Sequence, residues 1–226
     1  ISLELPLKRL IVGGFEKVYE IGRVFRNEGV DRMHNPDFTM LEFYWAYADY
    51  KDMMKLTEQL LTYVLKQVFG KTKVIYEGRE IDFKPPWPRV EYAELFRKFV
   101  KLDIESMNRD TLLKKAKELE VPVEEAFSKA RVEDAIYKKL IRPKLWEPQF
   151  IIHHPTGSIP LAKALDDDPT KLGTFQMLVG GGWELVKGYT EQNDPIVQRK
   201  VFEEQEGLFR KGLEDAQRMD TDFIES

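Results

Sequence analysis

β-Branched and aromatic residues alternate with polar ones through FEKVYEIGRVFRN (residues 15–27) and again through DFTMLEFYWAYAD (37–49). That period of two, with Gly29 and Pro36 in the polar stretch between, predicts a long antiparallel hairpin. Its loop, GVDRMHNP, has eight residues, against about two to five in common hairpins, and loops of unusual length more often carry function than merely connect. After Asp49 the period changes. Met53, Leu56, Leu60, Val64 and Val68 recur at helical spacing and predict one packing helix that stops at Gly70. KVIYEGREIDF (73–83) predicts a short hairpin turning at Glu77 and Gly78, and KPPWP (84–88) breaks regular structure. The block at 90–147 is highly charged and helical in pattern, with Asp110 as a cap and Pro122 and Pro143 as interruptions, and predicts a helical insertion. Its charges alternate in sign, as on solvated helix faces. Strand character returns in FIIHH (150–154) and in FQMLVGGGWELVKGYTE (175–191), which Gly180, Gly181 and Gly182 interrupt. Residues 195–224 predict an amphipathic helix with Val201, Leu208 and Phe209 on its apolar face.

Composition narrows the chemistry. The 226 residues are 42% hydrophobic and 33% charged with a net charge of -4, which excludes disorder as the main state and gives no whole-molecule attraction for nucleic acid. No stretch approaches the roughly 18 apolar residues of a membrane span, so a cytoplasmic setting is expected and no membrane partner. With no cysteine there is no disulfide framework, thiolate metal site or cysteine nucleophile, and three histidines (His34, His153, His154) are few for a zinc site. Chemistry is left to carboxylates, Arg, Lys and hydroxyls.

The second strand of the long hairpin is where those groups collect. Phe38, Met40, Glu42 and Tyr44 share one face, while Thr39, Leu41, Phe43 and Trp45 share the other, which reads as an ordinary core face. A carboxylate between aromatic rings and a thioether needs a partner, because an unpaired buried one costs several kcal/mol. One reading is structural: Arg26 pairs with Glu42 across the strands and Tyr44 hydrogen-bonds nearby. The other is an anion site beside a cation site, since the guanidinium fork of Arg suits a carboxylate or phosphate and Glu with Tyr suits an ammonium.

The run FRNEGVDRMHNPDFTMLEFYWAYADY resembles motif 2 of the class II aminoacyl-tRNA synthetases, and within that class the lysyl-tRNA synthetases. Arg26-Asn27-Glu28 and His34-Asn35-Pro36-Asp37-Phe38-Thr39-Met40 match its two halves at the family's spacing. LELPLKRLIVGGFEKVYEIGRVF is similar to the segment before motif 2, and WELVKGYTEQNDP to the amino-acid-pocket strand before motif 3. The resemblance covers roughly residues 1–83 and 150–226 and implies an α+β fold, an antiparallel sheet carrying the site and flanked by helices, with the insertion between. It also implies ATP-dependent activation of lysine to lysyl-adenylate, Mg²⁺, transfer to lysine tRNA, and a homodimer in the full-length protein.

Residue by residue, the resemblance implies that Arg26 holds the lysine carboxylate and the α-phosphate of ATP. Phe38 stacks on adenine, Glu28 accepts from its exocyclic amine, and His34 and Asn35 belong to the ATP site. Glu42, Tyr44, Tyr189 and Glu191 form the lysine pocket, with Glu4 near the α-amino group, and Glu184 ligates Mg²⁺. Plainer roles stand beside these: Glu4 simply solvated, Phe38 in the core, His34 without a ligand. Glu184 and Glu191 differ in strand parity, so facing one site requires an irregularity, for which Gly188 is the candidate.

Three departures from the family pattern qualify the expectation. Lys187 stands where the family usually has an Asn that contacts the substrate carboxylate; it is expected to contact an anionic group, with pairing to Glu191 as the competitor. Gln176 stands where many members have a metal-binding Glu, so one Mg²⁺ site is expected to be weak or absent. Motifs 1 and 3 and an anticodon-binding domain are missing, so the chain reads as a catalytic-domain fragment with little activity alone. Three alternatives remain: a paralogue that ligates lysine to a protein such as elongation factor P, a non-catalytic binding module, and an aspartyl or asparaginyl synthetase. The last is disfavoured because an acidic or amide side chain calls for a cationic pocket, whereas Glu42 and Glu191 are anionic.

Overall fold

The computed structural model describes residues 2–26, 34–210 and 219–225, so Asn27, Glu28, Gly29 and Arg32 of the hairpin loop, named above, lie outside the described residues. In chain order the elements are α1 (Glu4–Val12), β1 (Lys17–Phe25), β2 (Asp37–Trp45), α2 (Tyr50–Phe69), β3 (Lys73–Tyr76), β4 (Arg79–Asp82), β5 (Arg89–Glu91) and α3 (Tyr92–Phe99). There follow α4 (Arg109–Glu118), α5 (Lys129–Ile136), a π-helical turn at Tyr137–Ile141, a 3-10 turn at Arg142–Lys144, β6 (Gln149–Ile152), β7 (Thr174–Val179), β8 (Trp183–Tyr189), α6 (Pro195–Phe209) and α7 (Thr221–Glu225). The chain divides into two units, residues 1–48 with 193–226, and residues 49–192.

In the first unit β1 and β2 pair antiparallel over their full lengths, Lys17 opposite Trp45 and Phe25 opposite Asp37. Helix α1 packs on them. The expectation about the hairpin's faces is reversed. On the side bearing Thr39, Leu41, Phe43 and Trp45 only Phe43 is partly covered and the other three are exposed, as are Tyr19 (72%) and Ile21 (63%) opposite, while Phe38, Met40, Glu42 and Tyr44 are all partly covered. The physical reason is that both faces carry apolar groups, and the helix start that hydrogen-bonds Glu42 decides which one is covered. In α6, Val201 is partly buried and Phe202 fully so. The side chains of Leu208 and Phe209, the other expected apolar positions, lie outside the described residues.

In the second unit α2 begins at a capping box: the Asp49 carboxylate accepts from the backbone N–H groups of Lys51 and Asp52, and Asp52 accepts from Asp49. It ends at Gly70, whose φ of 69° is the left-handed C-terminal stop. Tyr50, Met54 and Thr57 are its buried residues; Val64 and Val68 are exposed, so the expected stripe holds only over the helix's first half. Strands β3 and β4 turn through Glu77 and Gly78, both at positive φ. The main sheet has the order β5-β6-β7-β8, antiparallel except that β5 runs parallel to β6, which departs from a wholly antiparallel expectation. Residues 89–91, just where helical pattern was expected to begin, are therefore strand. Phe150, Phe175, Met177 and Trp87 fill one face of this sheet with Tyr50 and Met54 from α2. Ile151 and Leu178 fill the other with Tyr92, Phe96, Leu112, Ile136 and Tyr137 from the helical segment. The cap of α4 is Asn108, which accepts from Thr111 N–H at 2.9 Å; Asp110 lies inside the first turn instead.

Glu133, on α5, is only 3% exposed, and its nearest cation, Lys129, stands 3.7 Å away. Burial pushes its carboxyl up from 4.5 to about 7, with Lys129 opposing. A raised folded-state value favours the neutral form, so this contribution to stability is complete below about pH 4.5 and is lost as the pH rises through 7. Urea unfolding at pH 4.5, 6 and 7.5 should therefore show a component falling by up to about 1.4 kcal/mol per pH unit. Glu133→Gln should remove that component; an unchanged pH profile would exclude burial of Glu133 as its cause.

Candidate functional site

In the first unit, Glu42 is held at both oxygens: Ser2 Oγ donates to Oε1 and the Leu3 backbone N–H to Oε2, each at 2.7 Å. Its cross-strand neighbour is Glu20. Arg26 lies six residues further along from Glu20, roughly 20 Å at strand rise, so the Arg26–Glu42 ion pair weighed above is excluded by the register. The Arg26 guanidinium instead sits over the Phe38 ring, 5.1 Å from its centroid, with Nη2 3.9 Å from Met40 Sδ. Phe38 is half-buried, outside the core. Glu4 is not simply solvated: its Oε1 accepts from Lys8 Nζ at 2.6 Å, and that ammonium, buried, also lies 5.9 Å from the Tyr44 ring centroid. His34 and Asn35 are exposed at the end of the hairpin loop, and Glu28 lies outside the described residues.

In the second unit the register shifts between Met177 and Leu178, so that Met177 faces Val186 while Leu178 faces Glu184. Leu185 is thus the extra residue of a β-bulge. The irregularity expected at Gly188 is therefore at Leu185. Its consequence is parity: Glu184, Lys187 and Tyr189, opposite Leu178, Gln176 and Thr174, come to share one face. Gly188 has a different task. A Cβ there would stand 2.7 Å from the Phe175 ring, whose edge-on contact with Phe150 at 5.3 Å centres the core. Lys187 is exposed and makes no ion pair among the described residues, so it does not pair with Glu191. Tyr189 packs on Ile159, Ala162 and Leu172, and Glu191 bridges in backbone to Ala162.

Gln176 is the centre of a network that the sequence did not announce. Its Nε2 donates to Glu184 Oε2 at 2.8 Å, and its Oε1 accepts from the Tyr137 hydroxyl at 3.1 Å and lies 3.0 Å from His154 Nε2. Arg142 donates from Nε and Nη2 to the Gly182 carbonyl, and its Nη1 lies 4.0 Å from Glu184 Oε2. Burial, only partly opposed by Gln176, depresses the His154 imidazole from 6.5 to about 3, with Lys187, His153 and Arg142 adding to the depression. His153 adopts a left-handed φ of 58°, which sends the adjacent ring elsewhere: Nδ1 to Glu91 at 2.7 Å and Nε2 to the Tyr50 hydroxyl at 2.8 Å. A cavity of about 880 Å³ lies beside that second histidine, lined also by Lys51, Arg89, Lys163 and Asp167, and none of the expected site residues lines it.

A sequence model of the family described as tRNA synthetases class II (D, K and N) matches residues 1–226. The chain belongs to this family. Among similar proteins, this class II synthetase chain is 44% identical over 225 residues to the lysine–tRNA ligase of Thermoanaerobacter sp. (strain X514), covering 99% of the chain and 45% of the relative. It is 43% identical to that of Saccharolobus solfataricus, covering 99% and 45%, and 45% identical to that of Chloroflexus aurantiacus, covering 99% and 46%. The chain therefore spans a little under half the length of the curated relatives it matches.

The family implies Mg²⁺, and the residues fit it in part. Mg²⁺ commonly takes one or two protein carboxylates and completes its shell with water and phosphate oxygens. Glu184 is exposed and suits that single-carboxylate role. Gln176 does not, because its only ligating atom, Oε1, is occupied by Tyr137 and His154. No group of three or more His, Cys, Asp or Glu converges on a metal position among the described residues.

Because Gly188 is where the sheet carrying these residues meets its aromatic core, Gly188→Ala should cost about 1–3 kcal/mol of unfolding free energy. Leu185→Ala, at an exposed bulge position, should stay within about 0.5 kcal/mol. A neutral Gly188→Ala would show that Phe175 can give way.

Proposed function

We propose that this chain belongs to the catalytic domain of a protein that activates lysine with ATP, forming lysyl-adenylate and pyrophosphate, and transfers the lysyl group to lysine tRNA. The observation that carries the reading is the 43–45% identity along 99% of the chain to proteins named lysine–tRNA ligase. Within a family that also includes aspartate and asparagine enzymes, the carboxylates Glu42 and Glu191 favour a cationic amino acid. A carboxylate about 4 Å from an ammonium gains on the order of 4 kcal/mol at an effective dielectric near 20, before desolvation, and a neutral analogue would leave it unpaired.

In this reading the lysine carboxylate oxygen attacks the α-phosphorus of ATP as the bond to the β-phosphate bridging oxygen breaks, and pyrophosphate carries away the electron pair. Arg26 binds both reacting groups and opposes the negative charge that gathers on the phosphorus oxygens. To do so its guanidinium exchanges its place over Phe38 for adenine, leaving that ring free to stack. Glu28 accepts from the adenine amine, and His34 and Asn35 bind along the phosphates. The resemblance assigns Glu42, Tyr44, Tyr189 and Glu191 to the side-chain ammonium, Glu4 to the α-amino group and Lys187 to the carboxylate. Mg²⁺ held by Glu184 would neutralise the outer phosphates. The buried Lys8–Glu4 contact supports the view that this corner of the first unit accommodates an ammonium. The full-length protein acts as a homodimer.

Lysine-dependent ATP–pyrophosphate exchange by the intact protein tests the first step. Exchange driven equally by aspartate or asparagine would sink the reading, and charging of a protein acceptor in place of tRNA would establish the elongation-factor alternative. Glu42→Gln should raise the lysine KM about 10- to 100-fold, the loss of one charged hydrogen bond. Lys187→Asn should change the same KM; an unchanged value would remove Lys187 from the carboxylate site.

A further inference from the structure

We propose that Tyr137 and His154 are positioning residues for Glu184, acting through the side-chain amide of Gln176, so that the helical segment and the metal-binding carboxylate are joined by one oriented group. The inference rests on the reading of Glu184 as the Mg²⁺ ligand.

An ionised carboxylate can only accept hydrogen bonds, so the Gln176 atom 2.8 Å from Glu184 Oε2 is the amide nitrogen. The amide oxygen then faces the opposite way, where it has two partners, the Tyr137 hydroxyl at 3.1 Å and His154 Nε2 at 3.0 Å. Those two bonds use both of its lone pairs. Acceptance from His154 requires a proton on Nε2, and in a neutral ring that leaves Nδ1 bare. Nδ1 is indeed the buried atom with no hydrogen-bond partner. The reverse amide orientation would set oxygen against the Glu184 carboxylate. Every atom in the chain from Tyr137 and His154 to Glu184 thus has one consistent role.

Two features make this more than local packing. Tyr137 opens the π-helical turn after α5, a rare backbone form often found at functional positions. Arg142, at the end of the same helical stretch, anchors the Gly182 carbonyl and approaches Glu184 from a second side. A Cβ at Gly182 would stand 2.9 Å from the Arg142 backbone, so the glycine turn permits that approach. Gln176 consequently supplies orientation where a second carboxylate would supply charge.

The test uses the intact protein with Mn²⁺ as the probe, its free fraction read by electron paramagnetic resonance with and without ATP. Tyr137→Phe, which removes only the hydroxyl, should weaken Mn²⁺ binding about threefold to tenfold, the value of one hydrogen bond, and Gln176→Met at least as much. The double variant should lose no more than Gln176→Met alone, which independent structural damage would not produce. Nitrogen-15 spectra should show His154 neutral and protonated at Nε2 in the native protein, with that preference lost in Gln176→Met. Additive losses, unchanged Mn²⁺ affinity in folded Tyr137→Phe, or a His154 proton on Nδ1 would each overturn the proposal. Failure of lysine-dependent exchange would sink the lysine reading instead, and leaves the His154 tautomer and the Mn²⁺ cycle as independent measurements.

Discussion

A strand presents its side chains alternately, and the second unit's candidate site exists because one residue breaks that rule. Without the bulge at Leu185, Glu184 would share a face with Val186 and Gly188, the face that packs on the aromatic core. With it, Glu184 joins Lys187 and Tyr189 opposite Gln176 and Thr174. The bulge leaves Leu185 half-exposed, a modest loss of apolar burial. In exchange a carboxylate is moved from a core-facing position, where it would be desolvated, to one where an amide donor meets it.

The rest of the second unit follows from how that sheet is covered. One face is filled by Phe150, Phe175, Met177 and Trp87 against α2, and the missing Cβ at Gly188 leaves the room that the Phe175 ring occupies against β8. The other face meets the helical segment through Leu178, Ile151, Tyr92 and Tyr137. A tyrosine in such an interface must place its hydroxyl, and Tyr137 places it on Gln176. The helical segment is therefore tied to the sheet twice, once by apolar burial and once by a polar chain that ends at Glu184.

In the first unit the governing contact is at Glu42. Its two oxygens receive donors from the start of α1, which satisfies a half-buried carboxylate without a counterion and fixes which side of the hairpin is covered. Those partners are a hydroxyl and a backbone amide, Ser2 Oγ and the Leu3 N–H. Arg26, just beyond β1, rests on Phe38.

Much of the local structure was legible in the chain. The period of two in residues 15–27 and 37–49, the helical spacing after Asp49 with its terminal Gly70, and the interruption of the strand at Gly180, Gly181 and Gly182 depend on neighbours in sequence, and each marked its element, although the two strands end earlier, at Phe25 and Trp45. The family was legible too, since the residue types and spacing that carry the resemblance lie within one hairpin and one strand. What the sequence could not decide were matters of partner and register: which hairpin face is covered, that Leu185 and not Gly188 bulges, that β5 runs parallel to β6, and that Gln176 is an orienting group bound by Tyr137 and His154. Tyr137 and His154 lie 39 and 22 residues from Gln176. No local periodicity encodes such contacts, because they arise only when burial of the helical segment brings a hydroxyl and an imidazole against the same amide oxygen.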